Sequence, residues 1–447
     1  MKKITTILLA LIMIVSAVSC GNGGKDGEVT NDAHGNTDGK KTVLKVAALE
    51  SAYGAEVWRE VCEDFEDEYH GVEVELTIDK NIEDVIGSKM KAKDYPDVVY
   101  LATGRPAGLT ETMIKEDNLV DLSDLKNRII PGEKVKVGDK LLDNFIDNST
   151  TNPYGDGKTY LAPMFYSPCG LFYNAGLFKS KGWTVPTTWD EMWALGDTAK
   201  SEGIYLFTYP TAGYMDSLMY ALLAQSGGTD FYERCMKYEE GIWDSPEAVS
   251  AFATAAKLLS YTEPTTVANA NNENYLKNQQ FILDNKALFM PNGTWVSGEM
   301  KDATRAEGFE WGFMALPAGD SGERYAYNYF EQVWIPKGAK HTEIAKDFIA
   351  YLYSDDAVET FAEAGAVQPV KGASEYIKDE NKMYYTIFDN GTKAVMGGFA
   401  ATEPVEGVSI ITSLFDTVNS IVSGDRTVDE WRQRVTEASN KLRAAIK

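Results

Sequence analysis

Histidines, cysteines and paired carboxylates would carry catalysis or hold a metal, and their spacing in this 447-residue chain favours neither. His34, His70 and His341 are its three histidines, with no i,i+4 pair among them. That argues against a histidine-built zinc site or a Ser-His-Asp triad. No G-x-x-x-x-G-K-[ST] phosphate loop and no G-x-S-x-G nucleophile elbow occurs, so nucleotide or ester hydrolysis is not expected. Cys62, Cys169 and Cys235 lie far apart without a C-x-x-C pair. At most one disulfide could join two of them, and buried thiols are the expectation for all three. Asp and Glu number 67, so some pair could stand as a glycosidase acid and base, but no spacing selects one. The 24 tyrosines and nine tryptophans offer more. Aromatic faces beside charged hydrogen-bonding groups suit binding a solute, not transforming it.

The elements that must position such groups follow from periodicity. Val43 to Leu49 is a short apolar strand, and Val57, Val61, Phe65 and Tyr69 then recur on one helical face. Val72 to Leu76 alternates as a strand, 81–91 reads as a helix, and Asp97 to Leu101 as a buried strand. This βαβαβ order predicts a parallel sheet covered by helices, an α/β class. A second α/β region begins near Cys169 to Tyr173. Thr188 and Glu191 form a capping box, and Ser245-Pro246 opens another helix. Ala287 to Met290 is a strand, one helical period runs from Glu343 to about Phe361, and two helices close the chain. Trp183, Trp189, Trp193, Trp311, Trp334 and Trp431 read as core.

The N-terminus sets location. Lys2 and Lys3 precede an apolar stretch, Ile7 to Val15, too short to span a bilayer, and Ala17-Val18-Ser19 leads to Cys20. This resembles a bacterial lipoprotein signal, with residues 1–19 removed and Cys20 lipidated. Residues 20–42 read as a flexible polar tether. The expected location is extracytoplasmic, anchored to the bacterial membrane through that lipid. A formal net charge of -24 argues against nucleic acid as a partner and against adhesion of the folded body to anionic lipid.

Four stretches, in order, resemble the extracellular solute-binding proteins of ABC importers, in the group that contains maltose-binding protein. They are Thr188-Trp189-Asp190-Glu191, Leu288 to Trp295, Val333 to Lys340, and Ser423 to Glu430. The resemblance implies two α/β lobes joined by a hinge and closing over a cleft. It places 43–159 and 325–366 in one lobe, 160–324 and 367–447 in the other. It also implies a monomeric receptor, neither an enzyme nor cofactor-dependent, that hands a carbohydrate to membrane permease subunits. A non-sugar solute (an amino acid derivative, polyamine or metal complex) on the same fold is one alternative. A lipoprotein glycoside hydrolase is another.

The resemblance also marks site residues. Trp295 falls where the family carries a stacking tryptophan, with a core tryptophan at a helix start as the alternative. Arg105 follows a sheet strand, where open α/β sheets bind ligands, and either contacts ligand or makes a surface salt bridge. Glu50 and Tyr53 occupy a loop similar to one in binding proteins for N-acetylglucosamine-type sugars. Tyr166, Tyr214, Asp216, Tyr329 and Glu331 lie beside the implied crossings or strand ends. Leu101 and Ile411 stand where maltose-binding members have tryptophans, which points away from a malto-oligosaccharide.

Overall fold

Leu44, Val46 and Ala48 on one face of the first strand, and Ala47 and Leu49 on the other, are at most 6 % exposed, which puts this strand inside a sheet covered on both faces. The structure, a computed structural model, describes residues 41–446 except Ala52, Gly104, Pro106 and Ala401. Cys20, the signal and residues 20–40 of the tether lie outside the described residues, while Thr42, read as the end of the tether, already belongs to the first strand, whose pairing with the second begins there. The strands are β1 (Thr42–Leu49), β2 (Val72–Asp79), β3 (Val98–Tyr100), β4 (Ala162–Asn174), β5 (Tyr205–Phe207), β6 (Ala287–Gly293), β7 (Trp311–Met314), β8 (Tyr325–Trp334) and β9 (Lys393–Val395). They run in the order β2-β1-β3-β8-β4-β6-β5, with β7 also on β4 and β9 also on β8.

One end of the sheet is the parallel trio β2-β1-β3. Helix Glu56–Glu68 covers it with Val57, Val61 and Phe65, the face that the sequence spacing marks. The other end joins β6 and β7 antiparallel to β4, and β5 parallel to β6. Between the two ends run β4 and β8, antiparallel to each other, with Ser167 opposite Tyr329. These two strands carry the chain between the two helix-covered regions, and it crosses a third time after helix Asp355–Glu363, since Leu414 and Trp431 lie in the far region. A register shift between Pro163 and Tyr166 interrupts the pairing, beside a proline that has no N–H to donate.

Two buried clusters follow. One runs from Val46 and Trp58 through Tyr100 and Phe165 to Phe172, Phe313 and Tyr384 on one face of the far end. The second fills the opposite face with Leu171, Tyr173, Phe289 and much of helix Met215–Met236. Alternation along β4 sends Leu171 to one cluster and Phe172 to the other. The capping box expected at Thr188 with Glu191 forms, and the structure adds another at Thr427 with Glu430. Cys62, Cys169 and Cys235 are buried free thiols.

Two expectations change. The single helical period from Glu343 divides into Thr342–Tyr351 and Asp355–Glu363. Ser354 restarts the helix by accepting the Ala357 N–H at 3.1 Å, a local competition that apolar spacing does not reveal. Trp334 and Trp431 are core, but Trp183, Trp189, Trp193 and Trp311 are only half-buried. Trp189 and Trp193 stack on each other near the surface, 5.2 Å apart, with Lys257 4.6 Å from the Trp193 ring. Among the described residues, no helix is long and apolar enough to cross a membrane.

Candidate functional site

β8 supplies the floor of the site. Tyr329 and Glu331 are two residues apart on a strand, so their side chains leave the same face. On either side of them lies a cavity. The first, of 530 Å³, is lined by Thr211, Tyr214, Asp216, Asn292, Trp295 and Tyr329, with Cys169 and Ser217. The second, of 700 Å³, is lined by Glu50, Ser51, Lys80, Arg105 and Glu331, with Leu49 and Gly54. Seven of the nine expected ligand residues therefore line one cavity or the other.

The first cavity is aromatic. Trp295 starts the short turn after β6, and its ring lies 5.7 Å from Tyr329 and 6.4 Å from Tyr214, inclined at 57° and 59°. Gly293 makes this seat possible, since a Cβ there would meet the indole at 2.1 Å. Asp216 opens helix Met215–Met236 and accepts hydrogen bonds from the Tyr329 hydroxyl and the Ser217 N–H. Burial pushes its carboxyl up to about 6, against both bonds. Burial also raises Tyr329, and the Asp216 charge adds to it. Tyr214 is pushed up to about 12, by burial first and then by Glu299.

The second cavity is built from charged groups. Arg105 holds Glu83 through two bonds, Nε to Oε1 at 2.5 Å and Nη2 to Oε2 at 3.0 Å. The Glu83 side chain is 6 % exposed, and the Arg105 bond holds its carboxyl below the usual range. Arg105 makes the salt bridge, and its side chain also lines the cavity. Tyr100 donates to Glu331, whose carboxyl burial raises against that bond and the Arg105 charge. Tyr53 stands beside this group with its ring edge-on to Phe165 at 5.4 Å. Burial raises its hydroxyl, with Glu331 second.

Tyr166 does not join the site. It is 4 % exposed, and its ring packs against Phe145 at 4.8 Å and Tyr385 at 5.2 Å. Alternation along β4, phased by the register shift before it, turns this side chain into the core. Sequence reasoning missed Asn292, Tyr100 and Glu83. Asn292 is 1 % exposed, and its Nδ2 has no hydrogen-bond partner among the described residues. Its signal was an amide at the carboxyl end of an otherwise apolar strand.

The arrangement provides stacking faces, acceptors and one unfilled donor, with no nucleophile–base pair among these groups. It can hold a solute between two sheet regions. A family model for bacterial extracellular solute-binding proteins matches residues 60–383. The chain belongs to this family. This solute-binding protein is similar to the diacetylchitobiose-binding protein of Streptomyces coelicolor, 28 % identical over 203 residues. That match covers 43 % of this chain and 42 % of the relative, so the chain spans less than half of that protein's length. A multiple sugar-binding protein of Streptococcus mutans is 23 % identical over 71 % of this chain and 73 % of its own. Among solved structures, the bacterial solute receptor AcbH matches with a TM-score of 0.68 at 17 % identity, over 90 % of this chain and 100 % of that one. RafE of Streptococcus pneumoniae, in its apo form, gives 0.66 at 17 % identity, over 90 % and 98 %. At such identity these structures establish the fold, a two-lobed α/β binding protein.

Proposed function

We propose that this chain is the substrate-binding lipoprotein of an ABC importer, capturing a carbohydrate between its lobes and delivering it to membrane permease subunits. The observation that carries this reading is the first cavity. Trp295, Tyr214 and Tyr329 offer faces to the C–H surface of a sugar ring, and Asp216 and Asn292 offer an acceptor and a donor to its hydroxyls. Glu50, Arg105 and Glu331, with Tyr53 beside them, extend the polar contacts. The relatives' names, for diacetylchitobiose and for multiple sugars, support the same solute class.

The lobes in this reading are 43–159 with 325–366 and 160–324 with 367–447, and they close as a hinge about β4 and β8. The protein acts as a monomer, without cofactor or catalytic step. One observation favours a second solute class. Asp216 is a desolvated carboxylate whose hydrogen-bond donors, Tyr329 and Ser217, are uncharged, which would also suit a polyamine.

A panel of sugars and amines, followed by intrinsic tryptophan fluorescence and thermal shift, tests the reading. Saturable responses to sugars without product formation are expected. Responses to amines alone would transfer the site to the second class, and turnover of a glycoside would make the protein a hydrolase.

Cys20 carries the lipid, and the polar residues after it give the binding body reach while keeping it near the permease. Cys20→Ser is expected to move the protein out of the membrane fraction with its solute affinity unchanged. Retention in that fraction would refute the anchor.

A further inference from the structure

We infer that the cleft takes at least two sugar rings in unlike settings, one stacked among aromatic side chains and its neighbour held mainly by charged and hydroxyl groups. This rests on the carbohydrate reading and adds the length and end-to-end asymmetry of the solute.

The two cavities meet at β8. Tyr329 lines the first and Glu331 the second, on one face of the strand and roughly 6.6–6.8 Å apart along it. Each volume lies within the range that commonly encloses a small ligand. Each cavity also contains the same device, a carboxylate held by a tyrosine hydroxyl: Asp216 by Tyr329, and Glu331 by Tyr100. A carboxylate has about four acceptor sites, so a tyrosine leaves room for hydroxyl donors of a ligand. The first cavity adds the unpartnered amide of Asn292, a buried donor whose desolvation a ligand oxygen would offset.

The linings then differ. Trp295, Tyr214 and Tyr329 make the first a stacking site, whereas Glu50, Ser51, Lys80, Arg105 and Glu331 give the second no ring face. A ring in the second is therefore recognised through its hydroxyls.

Closure supplies the second argument. Apart from β8, the first cavity is lined from residues 169–295 and the second from residues 49–105. A single ring in either would touch one sheet region and the shared floor. A solute that reaches both touches each sheet region at once, and these contacts favour the closed state over the open one.

Calorimetry with paired sugars tests this: N-acetylglucosamine with diacetylchitobiose, galactose with raffinose, and glucose with maltose. Wild type, Glu331→Gln and Trp295→Ala are compared, each checked for folding by its melting temperature. Lys80→Ala, at an exposed position of the same cavity, replaces Glu331→Gln if that variant does not fold. In a responding pair the longer sugar is expected to bind at least tenfold more tightly. The second-cavity variant should weaken the longer sugar about fivefold or more and leave the single ring within twofold. Trp295→Ala should weaken both. Equal affinity for the single ring and the longer sugar would overturn the two-ring cleft, as would equal losses for both in the second-cavity variant. Absence of binding by every pair would instead overturn the carbohydrate reading, and this inference with it.

Discussion

Replacing Trp295 with alanine is expected to weaken solute binding by about 1–3 kcal/mol, by analogy with rings and bases stacked on aromatic side chains. The indole is half-buried, lining a cavity while packing against the second buried cluster, so the variant's melting temperature must be read beside its affinity. Its orientation is set by neighbours that remain in the variant, Tyr329 and Tyr214. Gly293 provides an independent check. The ring lies so close over this residue that a Cβ would meet it at 2.1 Å. Gly293→Ala therefore displaces the stacking face without deleting it, and should weaken binding in the same direction. Calorimetry measures both, with melting temperature as the control. An unchanged dissociation constant in a folded Trp295→Ala protein would remove the residue from the site.

Solute affinity is expected to fall about tenfold between pH 7.5 and pH 5, through Asp216. Burial places its carboxyl at about 6, so it is ionised at the upper pH and about nine-tenths protonated at the lower. Only the ionised form leaves all its oxygens free to accept from a ligand hydroxyl. The effect on the fold has the opposite sign. A carboxylate whose pKa is higher folded than unfolded costs stability above that value. Protonation between pH 6 and the ordinary carboxylate range therefore favours the folded protein. Lost binding at pH 5 thus cannot be assigned to unfolding by this group. Asp216→Asn should bind more weakly at neutral pH and show a flatter profile. A wild-type profile that stays flat from pH 7.5 to 5 would exclude Asp216 as an acceptor for the solute.

Much of the local structure was legible before any fold was known. Apolar spacing marked the buried face of helix Glu56–Glu68 and the βαβαβ order of β1 to β3, because burial repeats with the period of each element. Thr188 announced a helix start by chemistry confined to four residues. Ser354 shows the limit: a cap inside one apolar period divided a helix that spacing alone would have joined. Tyr166 shows another. Its place beside an implied crossing says nothing of the face it takes, which depends on a register shift against β8. Asn292 stood inside a recognised segment, yet an unpaired amide becomes visible only when all its neighbours are known.

The sequence by itself determined the α/β class, the strand and helix order, the absence of catalytic spacing and the family, since each depends on residues close together in the chain. Only the tertiary structure decided the site. Glu50, Arg105, Asp216, Trp295 and Glu331 are separated by tens to hundreds of positions, and the sheet gathers the first four around the floor that carries Glu331. That gathering also divides the floor between an aromatic cavity at Tyr329 and a charged one at Glu331. Strand periodicity says that two side chains share a face, but long-range packing determines what stands opposite them.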